Sequence, residues 1–508
     1  MKRIVATCVA GAAALALAAF GVVRGTYAAG GSDSSCYALM AEAFASGAAM
    51  PTSDLIADAP WPNPQATFVP GGFLPSQANP SGAAPVCAPG FSLLMSPLVR
   101  AAGLSAVFWL TPLAALLLIW MTFRAGSTLA SPIAGALAAV LVAVSPPVLY
   151  QVVQPMNDIT TTALWMAAFV MLIERRWGWA GACCGLALLV RPNLLPLGAV
   201  AGLHVLWSER RVGPGCRRFA MSALPFGLAV LWLNDALYGG PLRSGYGQLD
   251  HLFAAGNVRV NATSYGRWLL ETHTVFPIVG VAAPALMTGN KRGAAWLAIA
   301  LIVATWCPYL FYTPFGEWTY LRFLLPAIAL LIMLASVVVL LAIERVAPSP
   351  VPALAAVVIA AGLGIFCVRT AVDRQVLALQ FFEQRYRSAG IVVRDRLPAG
   401  AVVLSVWDSG AVRFHGRREA LRWEVLDSQW LERSLEWLGR RGRQPYIMVE
   451  SWEEPGFRRR FGEYSETGKL DWPPQYEIDR VVRIYNPADR ARYHRGEPVG
   501  TEYLWPLR

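Results

Sequence analysis

The chain has 508 residues, 56% of them hydrophobic and only 15% charged, with a mean hydropathy of +0.44 and a formal charge of +11. Water-soluble domains carry about 25% charged residues, so composition argues against an ordinary soluble enzyme. The basic balance has no folded DNA- or RNA-binding pattern to serve, and basic loops on the cytoplasmic side of a membrane account for it, with nucleic acid excluded as a partner.

Charge is unevenly spread. Residues 1–369 hold 20 Lys/Arg and 12 Asp/Glu, and residues 370–508 hold 23 and 20. The first stretch reads as an apolar membrane domain and the second as a water-facing one. Lys2-Arg3 precedes an apolar run over 4–23, about 20 residues and so longer than a signal-peptide core. It predicts an uncleaved first span with its N-terminus inside.

A long Pro- and Gly-rich loop follows over 24–104, on the outer side. It carries Asp33, and a run over 37–44 predicts a short amphipathic helix lying along the membrane. Cys36 and Cys87 both fall in this loop, and no other outward cysteine competes clearly. A disulfide between them is expected, two buried thiols being the alternative.

Further apolar runs at 105–123, 131–150, 157–173, 179–191, 194–207, 219–236, 274–288, 294–312, 320–343 and 351–369 bring the expected spans to about eleven. Arg191-Pro192-Asn193 interrupts the stretch 179–207. Reading it as two short helices puts the loop with Arg210, Arg211, Arg217 and Arg218 inside, as positive-inside bias prefers. A third outward loop, 237–273, holds Arg243, Asp250, His251, Arg259, Arg267 and His273. Helical runs near 373–396, 427–439 and 453–461 alternate with apolar strands near 401–406, 445–450 and 480–485, which predicts a small, partly parallel sheet. No Gly-rich phosphate loop follows these strands, so no nucleotide-binding domain is expected.

Acids at a membrane boundary are costly and therefore functional candidates. Asp33 and Asp158 both lie on the outer side. Each has a plain alternative, capping the helix that follows it. As a pair, one suits a general base, and the other suits orientation of the base, the acceptor or a metal ion. Arg191 and Arg322 face outward at the same depth. Guanidinium pairs bidentately with phosphate, and for Arg322 simple snorkelling to the interface competes. Arg243 and Arg267 are weaker phosphate-binding candidates, and Tyr37, His251 and Glu317 are weaker substrate-binding candidates.

These residues resemble the GT-C superfamily of membrane glycosyltransferases, in its protein-mannosyltransferase and aminoarabinose-transferase-like branch, the family 39 type. The similarity rests on Asp33, Tyr37 and Gly47 after the first span and on Ala88-Pro89-Gly90-Phe91 closing the first loop. It rests also on Met156-Asn157-Asp158 with the later Leu189-Val190-Arg191-Pro192, and on Tyr320-Leu321-Arg322-Phe323-Leu324-Leu325-Pro326. Ser34 stands where many members have a second acid, and Ala88 where Tyr or His is usual.

Charge and periodicity predict a polytopic helical membrane domain over 1–369 and a C-terminal α/β domain over 370–508, and the resemblance, spread over 1–343, implies a membrane-embedded inverting transferase. It implies transfer of a sugar from a polyprenyl-phosphate donor to a glycan, lipid or protein acceptor, with a divalent cation optional. It carries Asp33 as base, Asp158 as second acid, and Arg191 and Arg322 near the donor phosphate. The implied setting is a bacterial inner or plasma membrane, with the active site and C-terminal domain outside the cytoplasm. A transporter or flippase of lipid-linked saccharide is the alternative, for which broken helices and internal repeats would be the signature.

Overall fold

The computed structural model describes residues 2–210, 212–247, 251–348 and 350–505. Asp250 and Arg211 lie outside the described residues. The chain divides into two compact units. One comprises 1–25, 108–231 and 247–379, and the other comprises 26–107, 232–246 and 380–508. The first loop therefore groups with the C-terminal segment, whereas the sequence reading assigned it to the apolar block.

The first unit is helical, and the chain is an integral, multi-pass membrane protein. Six helices across the described residues are long and apolar enough to cross a bilayer, or eight if two bent pairs each count as one span. The bent pairs are Pro132–Ala143 with Pro146–Val152, at 61°, and Ala255–His273 with Phe276–Leu286, at 104°. Several of the eleven apolar runs thus form shorter helices, such as Asn157–Ile173 and Trp177–Val190. Leu325–Val346 is buried along most of its length and is the central helix of this unit.

Close approach is bought with small residues. A Cβ on Gly126 would lie 2.8 Å from the Gly135 Cα, so helices Leu110–Leu129 and Pro132–Ala143 touch backbone to backbone. Near the second bend, buried His273 lies 2.8 Å from both Ser145 Oγ and Thr272 Oγ1, so its two ring nitrogens each have a polar partner.

The second unit is built on a sheet. A hairpin of β1 (Phe73–Pro75) and β2 (Ala83–Pro85) lies in the first loop. Six further strands are β3 (Val402–Leu404), β4 (Glu419–Leu421), β5 (Pro445–Glu450), β6 (Tyr476–Ile478), β7 (Val482–Tyr485) and β8 (Glu502–Leu504). Their order is β4-β3-β5-β7-β6-β8. β3 runs parallel to β4 and β5, and β7 is antiparallel to β5 and β6.

Side chains alternate across this sheet. Val402, Leu404, Ile447 and Val449 enter one core; Val403, Tyr446 and Met448 enter the other. The first core is completed from the loop by Leu55, Ile56, Trp61 and Phe68. Further ties join loop and sheet. Arg422 N–H donates to Thr67 O, Gly71 N–H donates to Ser409 Oγ at 2.9 Å, and Ala29 N–H donates to His415 Nε2 at 2.9 Å. That last bond requires an unprotonated acceptor nitrogen. Burial, with Arg387, Arg417 and Arg394 nearby, supplies it by holding His415 down to about 3.

Candidate active site

Asp33 belongs to the sheet unit. It lies in the first turn of helix Gly31–Ala45, whose N-cap is Gly30 and which has no side-chain cap bond. Asp33 is therefore not the N-cap residue itself, and the helix N-terminus favours a carboxylate at its position. The helix is not a surface element of the kind expected over 37–44. Cys36, Ala38 and Met40 are fully buried, and Tyr37 packs edge-on against Phe91 at 5.1 Å. The pattern misled because short Ala-rich helices bury on all sides when flanked by other helices. Here Gly90–Ala102 lies on one side and Ser409–Phe414 on another. Cys36 and Cys87 form a disulfide that ties this helix to the end of the loop.

Asp158 and Arg191 belong to the helical unit and meet there. Asp158 sits in the first turn of Asn157–Ile173, two residues after the N-cap Met156. Its Oδ1 accepts from Arg191 Nη1 at 2.6 Å, and both side chains are buried. The local cause is Pro192, which disfavours helical geometry for the residue before it. Arg191 accordingly adopts φ −147° and ψ 82° and ends helix Trp177–Val190.

Arg322 is drawn into the same cluster through an aromatic ring. The Arg191 and Arg322 guanidinium carbons lie 5.2 and 5.1 Å from the Phe323 ring centroid, and Arg191 also sits 5.7 Å from Tyr309. Asn193 Nδ2 donates to the Tyr309 hydroxyl at 3.0 Å. Both guanidiniums thus approach the Phe323 ring near Asp158, whose Oδ2 has no hydrogen-bond partner among the described residues. Guanidinium groups are chemically suited to pair with a phosphate.

The aromatic part of this cluster escaped the sequence reading. Tyr309, Tyr312, Phe315, Tyr320 and Phe323 recur within a short stretch and stack on one another, with Phe315 and Tyr320 at 3.9 Å. An aromatic-rich stretch at a span boundary ordinarily reads as interfacial belt, so the signal was present but not distinctive.

The weaker candidates lie elsewhere. Arg267 is an exposed neighbour of Glu271, at 3.7 Å, and Glu271 is also bound by Arg374 at 2.6 Å. His251 and Glu317 are exposed. Arg243 is exposed in the sheet unit and donates to Gln77 Oε1 at 2.7 Å. Among the described residues, no group of three or more His, Cys, Asp or Glu is arranged to hold a metal ion.

No protein-family model matches the sequence, and neither does any curated protein. Solved structures do match. The aminoarabinose transferase ArnT of Cupriavidus metallidurans, in a crystal structure with undecaprenyl phosphate bound, superposes with a TM-score of 0.57 at 14% identity, over 88% of this chain and 94% of its own. Its apo form gives 0.57 at 15% identity, over 93% and 96%. The apo oligosaccharyltransferase of Archaeoglobus fulgidus gives 0.57 at 12% identity, over 95% and 74%. Both enzymes are GT-C proteins, and the chain shares their fold.

Proposed function

We propose that this protein is a membrane glycosyltransferase that takes its sugar from a polyprenyl-phosphate donor and delivers it to an acceptor outside the cytoplasm. The observation that carries the reading is the convergence of Arg191 and Arg322 on Phe323, with Asp158 holding Arg191 in place. Guanidinium matches phosphate bidentately, and here two of them lie against one ring within an apolar helical unit. A lipid-borne phosphate is the anion that such a unit can meet. The shared fold supports it, since ArnT has been crystallised with undecaprenyl phosphate and the archaeal enzyme studied with a dolichol phosphate.

In the reaction, an acceptor hydroxyl oxygen forms a bond to the sugar's anomeric carbon while its proton passes to the Asp33 carboxylate. The bond from that carbon to the phosphate oxygen breaks, and its electron pair leaves with the polyprenyl phosphate. Arg191 and Arg322 neutralise the charge that develops there, and general-base assistance contributes about 10²–10⁴-fold. Asp158 positions Arg191. The archaeal enzyme has been crystallised with zinc and sulfate, but no step here is assigned to a metal.

The transporter reading draws on the two bent helix pairs. One assay separates them: purified protein in detergent, which has no two sides to transport between, is given a polyprenyl-phosphate sugar and acceptor extract. Turnover supports the enzyme. Asp33→Asn keeps the shape of the side chain and should lower turnover about 10²–10⁴-fold at unchanged protein yield. Wild-type turnover by that variant would remove Asp33 from the mechanism.

A further inference from the structure

The sheet unit carries a second cluster of acids that the proposed reaction does not use. β3 and β5 are parallel neighbours, yet the chain leaves β3 toward β4 on one side and leaves β5 toward β6, beyond β7, on the other. This divergence makes their carboxyl ends a topological switch point, the place where open α/β sheets hold ligands.

The residues that follow the two strands gather there. Trp407, after β3, and Trp452, after β5, are about half exposed and meet edge to face, with ring centroids 5.6 Å apart. Trp452 Nε1 donates to Glu450 Oε2 at 2.7 Å, and Glu450 N–H donates to Glu453 Oε2 at 2.8 Å. Beside Trp407, Asp408 is fully buried, and neither of its carboxyl oxygens has a hydrogen-bond partner among the described residues.

Charge does not balance at this place. Glu450, Glu453 and Glu383 all act on Asp408, and Arg385, the cation that acts on Glu383 and Asp408, already donates from its Nε to Glu450 at 3.0 Å. Burial and mutual repulsion push Asp408 well above the usual carboxylate range and Glu453 up to about 7. A buried carboxyl without a donor is costly, and a bound cation would relieve that cost. The carboxyls are not grouped to ligate a metal ion. The adjoining pair of indole faces suits an organic ammonium instead.

We infer that the crevice at the carboxyl ends of β3 and β5 binds a small organic cation, a primary ammonium on a hydroxylated body. It would be seated against Trp407 and Trp452, with Asp408 and Glu453 as its carboxylate partners. That this cation belongs to the acceptor rests on the transferase reading. It is supported by helix Ser409–Phe414, which starts beside Asp408 and packs tightly on the helix bearing Asp33: a Cβ on Gly410 would lie 2.3 Å from Ser35 Cβ.

Ligand-observed saturation-transfer NMR on the purified full chain tests the site, with glucosamine as the cationic probe and glucose as its neutral control at pH 7. Saturable binding of glucosamine alone is expected. Trp452→Ala, at an exposed position, and the isosteric Glu453→Gln should each weaken it about tenfold. Equal binding of both sugars, no binding of glucosamine, or unchanged affinity in both variants overturns the inference. Asp33→Asn keeps the two proposals apart. If glucosamine fails to bind while this variant abolishes transfer, the crevice inference falls alone. If glucosamine binds and Asp33→Asn still transfers normally, the site stands and the assigned base falls.

Discussion

Asp158 in the helical unit and Asp408 in the sheet unit are equally hidden from solvent, at 1% and 0% exposure. Their surroundings treat them in opposite ways. Asp158 meets a guanidinium at 2.6 Å, and that guanidinium rests on Tyr309 and Phe323. Asp408 meets other acids and has no donor among the described residues. A buried carboxylate survives as an ion where a cation is built in beside it. Where none is, it keeps a proton or awaits a ligand. The contrast separates a carboxylate given its partner by the fold from one left without a donor among the described residues.

Breaking the first arrangement should have the largest effect. Arg191→Ala leaves Asp158 buried and alone, at a cost of about 3–5 kcal/mol, so little protein should accumulate in the membrane. Arg191→Ala with Asp158→Ala should restore much of the yield, measured by detergent-solubilised thermal unfolding, without restoring transfer. Recovery of transfer would mean that the pair serves stability alone.

Removing the disulfide should come next. Cys36 and Cys87 are separated by 51 residues, and closing a loop of that size is worth roughly 4 kcal/mol on the chain-entropy model. Cys36→Ala/Cys87→Ala should lower the unfolding midpoint of the purified chain, and reductant should reproduce the loss in the wild type.

The second arrangement gives a pH signature. Glu453 in the folded chain titrates near 7, above its ordinary value of 4.5. The folded state therefore holds a proton that the unfolded state has released, and stability falls as pH rises from about 4.5 through 7. The shift corresponds to at most about 3 kcal/mol. Glu453→Gln should flatten the dependence of the unfolding midpoint on pH between 5 and 8. An unchanged slope would show that Glu453 is not the titrating group.

The smallest effect marks the contrast between buried and exposed charge. Arg440 and Glu436 form an exposed i,i+4 pair at 3.1 Å, and Arg440→Ala should cost no more than about 0.5 kcal/mol. A larger loss in the unfolding midpoint would show that surface pairs hold this unit together.

Much of the helical unit was legible in the sequence because a bilayer imposes a length and a hydropathy that single segments must satisfy alone. Arg191 could be singled out for the same reason: a charge before proline inside an apolar run has few innocent explanations. Phe323 and Tyr309 could not, since aromatic residues at span ends are commonplace. In the sheet unit, β5 was legible as a continuous apolar strand. β4, β6 and β8 were missed, being three residues long and mixed in polarity. Asp408 and Glu453 were missed for a deeper reason. Each sits in a polar, water-facing segment where acids are ordinary, and only the pairing of β3 with β5 makes neighbours of them. Trp61 and Phe68 likewise looked like loop residues, because the core they complete is made by strands more than 300 positions later in the chain.

That interleaving has a consequence for biosynthesis. Ala29 bonds to His415, 386 residues away, and Trp61 and Phe68 are buried against the late strands. At about 5–20 residues per second, the ribosome needs on the order of 20–80 s to supply the missing partner. Throughout that interval the loop carries large apolar side chains and two thiols with no finished core around them. Assembly of this unit thus depends on something restraining the early segment, whether a chaperone, the translocation machinery or prompt pairing of Cys36 with Cys87. A chain cut short before the sheet is made would expose an aggregation-prone loop on an otherwise inserted membrane protein.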